Sequence, residues 1–195
     1  MHTLKIQKHV CRYTGVVDWT VIKSTLTGGF HTTSLDGYKP ASVLVVICRH
    51  EPHIIMIEKS GSMRIHAGEI SFPGGKYEEC DVDMMDTALR ETAEEIGLDV
   101  RRDQVTGQLS GVTTLNSGFV ICPFVAILDD IPKLSPNPEV EEILCIPLER
   151  LLKTMAVDSI PEHRTFGEMY TFQYNSKVIW GASARILRQI AVRIL

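Results

Sequence analysis

The sequence lacks a paired-cysteine pattern: its five cysteines, at 11, 48, 80, 122 and 145, are scattered, odd in number and nowhere spaced C-x-x-C. This argues against a disulfide framework or a zinc site, and a reducing, cytoplasmic location is expected. A basic excess is also missing. With 20 Lys and Arg against 24 Asp and Glu, the net charge of -4 speaks against a general nucleic-acid binder while leaving room for a local basic pocket. No apolar run approaches the ~18 residues of a membrane span, and the first residues show no basic region followed by an apolar core. Neither a membrane anchor of that kind nor a secretion signal is expected. Internal repeats and low-complexity tracts are absent too, so residues 1–195 read as one domain, with 1–40 as an extension of unassigned role.

What the chain does have is a stretch at 72–98, FPGGKYEECDVDMMDTALRETAEEIGL, in which a glycine turn leads into a helix carrying clustered carboxylates. Asp83 or Asp86 suits the helix start and Gly97 its left-handed stop, so a helix of roughly four turns is predicted from near Asp83 to Ile96. Glu91, Glu94 and Glu95 lie three and four residues apart and project from one face. Three like charges there repel one another unless a cation sits among them, and hard oxygen ligands suit magnesium or manganese. Ala88, Leu89, Thr92, Ala93 and Ile96 form the packing face. Arg90 is placed to hold a carboxylate of its own helix, and the Gly74-Gly75 turn lets backbone N–H groups approach an anion.

The run from Gly75 through Asp81 to Arg90-Glu91-Thr92-Ala93-Glu94-Glu95-Ile96-Gly97-Leu98 resembles the Nudix box. It departs in three ways: Asp81 replaces a Glu, the gap from Asp81 to Arg90 is one residue longer, and Thr92 fills a position that is usually apolar. Upstream, IIMIEKSGSMRIHAGEISFPGG at 54–75 resembles the signature of the coenzyme A diphosphatase branch of that family. Ser60, Arg64, Gly68, Phe72, Pro73, Gly74 and Gly75 fall in register with it, while Ile57 replaces Thr and Lys59 replaces Arg. Segments 115–128 and 178–187 are similar to that branch as well.

The resemblance implies an α/β fold, namely an α/β/α sandwich with a mixed sheet and a catalytic loop-helix-loop. It implies Glu91, Glu94 and Glu95 as ligands of Mg2+ or Mn2+, with Arg90 in support. The proton acceptor is left open between Glu94 or Glu95 and an acid from Glu139, Glu141 and Glu142. Lys59, Arg64 and His66, together with Gly74 and Gly75, are the expected substrate-binding residues, since basic groups beside a carboxylate-bound metal suit a diphosphate ester. The implied substrate is coenzyme A or a derivative, with ADP-ribose or another nucleotide diphosphate as the alternative. A homodimer is compatible with the resemblance.

Periodicity supplies the remaining elements. A short helix is predicted at Trp19 to Leu26, and a hairpin from strands 42–48 and 53–59 turning on His50, Glu51 and Pro52. Strands at 104–112 and 119–128 follow, joined through Asn116-Ser117-Gly118, with Phe119 and Phe124 read as core. A strand at 143–146 runs into a helix started by Pro147. A hairpin at 166–180 and an amphipathic helix at 181–195 close the chain, with Ala184, Leu187, Ile190, Ala191 and Ile194 inward and Arg185, Arg188 and Arg193 outward.

Overall fold

The computed structural model describes residues 18–49, 52–62, 66–114, 117–159 and 169–195. Arg64, His50, Glu51, Asn116 and the first residues of the 166–180 hairpin therefore lie outside the described residues. In chain order the elements are α1 (Trp19–Leu26), β1 (Lys39–Cys48), β2 (His53–Lys59), β3 (Ile70–Ser71), β4 (Gly74–Lys76) and α2 (Met84–Ile96). After these come β5 (Val105–Gln108), β6 (Val112–Thr113), β7 (Phe119–Leu128), β8 (Val140–Pro147), α3 (Leu148–Leu152), β9 (Ala156–Val157), β10 (Tyr170–Tyr174), β11 (Lys177–Ile179) and α4 (Gly181–Ile194).

The main sheet is mixed. β1 runs parallel to β7 along its whole length, whereas its pairing with β2 is antiparallel and confined to Val46–Cys48 against His53–Ile55. Beyond that point β1 and β2 part. β4 then pairs with β1 and β3 with β2, so the chain around Gly74 and Gly75 is inserted into the opened end of the sheet. This insertion is what brings the glycine turn beneath α2. β8 adds to the other edge of β2, and β9, β10 and β11 form a separate small sheet.

Both faces are apolar because successive side chains of β1 and β2 point to opposite faces and consecutive ones are buried. Val45, Ile47, Ile54 and Met56 pack with α1, α3 and α4, while Leu44, Val46, Ile55 and Ile57 pack with Ala88 and Ile96 of α2. The result is the expected sandwich of helices on both sides of a mixed sheet. Burying a side chain such as Ile57 or Leu44 stabilises the fold by about 1.5–3 kcal/mol.

The helix that carries the carboxylates is set by its ends. The Asp83 side chain accepts from the N–H of Asp86, and Gly97 adopts the left-handed conformation (φ 66°). The last carbonyls, of Glu95 and Ile96, accept from the N–H groups of Asn137 and Ser135, so a loop before β8 finishes the cap.

Arg185 differs from its sequence expectation. It is half-buried, and its Nη1 donates to the Thr113 carbonyl at 2.6 Å. The helical pattern placed it outward, but the short strand β6 folds over that part of α4.

Candidate active site

Asp81 and Arg90 form the centre of the cluster. Arg90 donates through Nε to Asp81 Oδ1 (2.8 Å) and through Nη2 to Oδ2 (3.1 Å), a two-pronged pair. Asp81 is buried and also accepts from the Glu78 N–H and the Thr87 hydroxyl. The Arg90 hydrogen bonds hold its carboxyl well below the usual carboxylate range, despite a desolvation cost in the opposite sense. Arg90 then reaches the carboxylates of its own helix, donating from Nη1 to Glu91 (3.1 Å) and to Glu94 (3.3 Å), and from Nη2 to the Lys76 carbonyl. One guanidinium thereby ties the glycine turn to the helix.

The three glutamates do not share one environment. Glu95 is only 2% exposed; its carboxylate forms an ion pair with Lys59 and accepts the Gly74 N–H at 2.9 Å. Burial pushes its carboxyl up, and the Lys59 charge works against that. Glu91 is half-buried and likewise pushed up, first by desolvation and in smaller part by the charges of Glu95 and Glu94. Glu94 is solvent-facing, with its side chain 55% exposed and Arg90 alongside. The single polar face expected of the helix is therefore an arc from core to solvent, because successive positions 94 and 95 sit about 100° apart.

The glycines are demanded by close approach. At Gly75 a Cβ would lie 2.2 Å from a Glu91 carboxylate oxygen, and at Gly74 (φ 153°) it would lie 2.2 Å from the Ser42 carbonyl oxygen.

For a divalent cation the donors are right and their rotamers are engaged elsewhere. Hard carboxylate oxygens and a turn without Cβ atoms beside Glu91 suit Mg2+ or Mn2+. Among the described residues, however, no three His, Cys, Asp or Glu side chains already converge on one point: Arg90 and Lys59 hold the carboxylates.

Of the other residues singled out by sequence, Lys59 faces Glu95 rather than an open pocket. His66, in a left-handed conformation, is exposed and bonds Glu69 at 2.8 Å. Arg64 is outside the described residues. Glu142 pairs with Lys177, while Glu139 is near enough to Glu95 to act on it electrostatically. Sequence reasoning missed the Lys59–Glu95 pair and the anchoring role of Asp81; for the second, the place of Asp81 in the box was the available signal. A cleft of about 650 Å³ between Phe30–Leu35 and the start of α2 contains none of the three glutamates. The site is thus defined by carboxylates and not by that cavity.

Comparison gives the family: the NUDIX domain matches residues 38–166, and the chain belongs to the Nudix family. It is 32% identical over 164 residues to a Nudix hydrolase of Yersinia enterocolitica named NudL, itself uncharacterized, covering 83% of this chain and 84% of that protein. NudL of Photorhabdus laumondii, also uncharacterized, is 32% identical over 163 residues, covering 82% and 87%. Among solved structures, the NUDIX domain of Shewanella oneidensis NrtR, complexed with ADP ribose, superposes with a TM-score of 0.55 at 17% identity, covering 85% of this chain and 91% of that one. A MutT/nudix family protein from Enterococcus faecalis gives 0.55 at 12% identity, covering 84% and 62%. Among the described residues no helix is long and apolar enough to cross a membrane.

Proposed function

We propose that this chain hydrolyses the diphosphate linkage of coenzyme A or a derivative, releasing 4'-phosphopantetheine and adenosine 3',5'-bisphosphate. The observation that carries the hydrolase reading is the convergence of Arg90 on Asp81, Glu91 and Glu94, with Glu95 fastened to the glycine turn. The coenzyme A assignment rests on the signature at 54–75.

In this reading Glu91, Glu94 and Glu95 would hold Mg2+ or Mn2+, which neutralises charge on the diphosphate and acidifies water when bound. The protein's own part is positional. Arg90 sets the rotamers of Glu91 and Glu94, with Asp81 fixing the guanidinium from behind. Gly74 and Lys59 keep Glu95 ionised against its burial. Glu94, the most exposed of the three, accepts the proton as water oxygen bonds to one phosphorus and the bridging P–O bond breaks. Arg64 and His66, from the loop before the turn, serve the outer phosphates.

A second reading, hydrolysis of ADP-ribose or another nucleotide diphosphate, is favoured by Lys59: turned onto Glu95, it offers substrate no bidentate fork of the kind an arginine would provide. Anion-exchange product analysis with magnesium or manganese separates the two, using coenzyme A, ADP-ribose, NADH and a dinucleoside polyphosphate in parallel. Adenosine 3',5'-bisphosphate from coenzyme A as the fastest product, abolished by Glu94→Gln, supports the first reading. Faster turnover of ADP-ribose overturns the substrate, and no turnover at all overturns the hydrolase assignment in favour of a nucleotide-binding module.

A further inference from the structure

One aromatic ring at the end of the sheet carries two cations. The Lys39 ammonium lies 6.0 Å from the Phe119 ring centroid and the Lys76 ammonium 5.7 Å from the same centroid. Topology sets the three residues side by side: Lys39 is the parallel neighbour of Phe119, and Lys76 pairs with Ala41 on the adjoining strand. Side chains two apart on β1 share a face, so Lys39, Lys76 and Phe119 all project to the α4 side of the sheet. Both lysines are exposed, and among the described residues neither has a carboxylate partner. Two ammonium groups drawn to one ring repel each other, and the ring face answers each only weakly.

A third cation borders the patch. Arg185 bonds the Thr113 carbonyl, and the next residue, Thr114, accepts the Phe119 N–H on its hydroxyl at 2.8 Å. Arg185 is half-buried, and no acidic side chain among the described residues is paired with it; burial alone lowers the pKa of its guanidinium. Lys76, Lys39, Phe119 and the Arg185-bonded segment thus lie across neighbouring strands β4, β1, β7 and β6. Only backbone links the patch to the carboxylate centre: the Lys76 carbonyl accepts from Arg90, and Lys76 follows Gly75.

We infer that Lys39 and Lys76 on the Phe119 ring, with Arg185 at its border, form an anion subsite for a phosphate monoester carried on the substrate's nucleoside, apart from the diphosphate that faces the glutamates. The inference rests on the coenzyme A reading for which phosphate it takes, the one on the 3' oxygen. A monoester is mostly dianionic near neutral pH, with a second pKa of about 6, so it matches two or three clustered cations better than a diester oxygen does. Exposed lysines act as mobile point charges and suit a phosphate that approaches from solvent.

The test is binding of two mononucleotides that contain no diphosphate to cleave. Titration calorimetry at one fixed, low ionic strength compares adenosine 3',5'-bisphosphate with AMP on wild type, Lys39→Gln, Lys76→Gln and the double variant. Wild type is expected to prefer the bisphosphate by about tenfold or more, and the ratio to fall toward one in the double variant. Arg185→Gln is expected to lower it too, but the exposed lysines decide the matter because their replacement leaves the core intact. Equal affinity in wild type, or a preference untouched in the double variant, overturns the subsite. The substrate assignment fails independently: if coenzyme A is not cleaved while the ratio still collapses, the subsite stands and the reaction is reassigned.

Discussion

Arg90 and Asp81, nine residues apart, meet through two hydrogen bonds of 2.8 and 3.1 Å, and this pair accounts for the irregular box. The shorter Asp side chain, set one residue further from the arginine than the Nudix pattern has its Glu, still presents both oxygens to the guanidinium. Asp81→Asn removes the charge and half of the fork, leaving Arg90 partly uncompensated. Stability is expected to fall by about 3 kcal/mol, and kcat/KM to fall with it as Glu91 and Glu94 lose their tether. The pH dependence carries the same signature. The folded-state pKa of Asp81 is depressed, so its contribution is present above the unfolded carboxylate value of about 3.9 and is lost as pH falls below it. Denaturant titrations from pH 6 down to 2 should show a shallower acid loss in Asp81→Asn; identical slopes would remove Asp81 from the account.

Adjacent glycines should fail differently. A methyl group at 75 meets the end of the Glu91 side chain, which can swing aside; at 74 it meets the backbone of Ser42 and Val43. Gly75→Ala is therefore expected to fold within about 1 kcal/mol of wild type while losing on the order of 100-fold in kcat/KM through displacement of Glu91. Gly74→Ala should lose about 3 kcal/mol or more in stability. Thermal melts beside steady-state kinetics check both, and a fully active Gly75→Ala would show that the placement of Glu91 does not matter.

Cation binding offers a measurement free of turnover. If Glu91, Glu94 and Glu95 are the ligands, Mg2+ or Mn2+ shares Glu91 and Glu94 with Arg90, which bonds one oxygen of each, and the gain appears as stability: about 2.7 kcal/mol at 100 times the dissociation constant. Wild type should melt higher with the metal than with a chelator, and Glu91→Gln should lose most of that difference. An equal rise in both proteins would place the cation elsewhere.

Local signals were legible and distant ones were not. Trp19–Leu26, a cap at Asp83 or Asp86 and the Gly97 stop follow from spacing and turn chemistry within a few residues, and the structure has the helix, the cap at Asp83 and the stop. The resemblance at 54–98 supplied the family and its sandwich. Periodicity did not disclose that β7 lies parallel to β1, nor that β4 enters where β1 and β2 part, because register between strands tens of residues apart leaves no local pattern. For the same reason Phe119, read as core, turned out to be partly exposed beneath two lysines, and Arg185, read as outward, half-buried. Burial of Glu95 was hidden as well, since a polar residue beside Glu94 reads as solvated until its partner is known, and that partner, Lys59, is on strand β2.

The Lys59–Glu95 pair lends itself to a double-mutant cycle. Both groups are nearly removed from water, with side chains 14% and 3% exposed, so each charge depends on the other. Lys59→Met leaves the Glu95 carboxylate buried with the Gly74 N–H as its remaining hydrogen-bond donor among the described residues, and Glu95→Gln leaves an unpaired ammonium. Each single change is expected to cost about 2–3 kcal/mol, whereas the double variant should return to within about 1 kcal/mol of wild type, because replacing a buried pair together avoids the stranded charge. The sign of the pH effect follows. With Lys59 gone, Glu95 is pushed further above its unfolded pKa, so Lys59→Met should gain stability relative to wild type as pH falls toward that value and the carboxyl protonates. Denaturant unfolding of the four proteins at pH 7.5 and 5 measures both effects, and strictly additive single changes would mean that the two charges are held by water and not by each other.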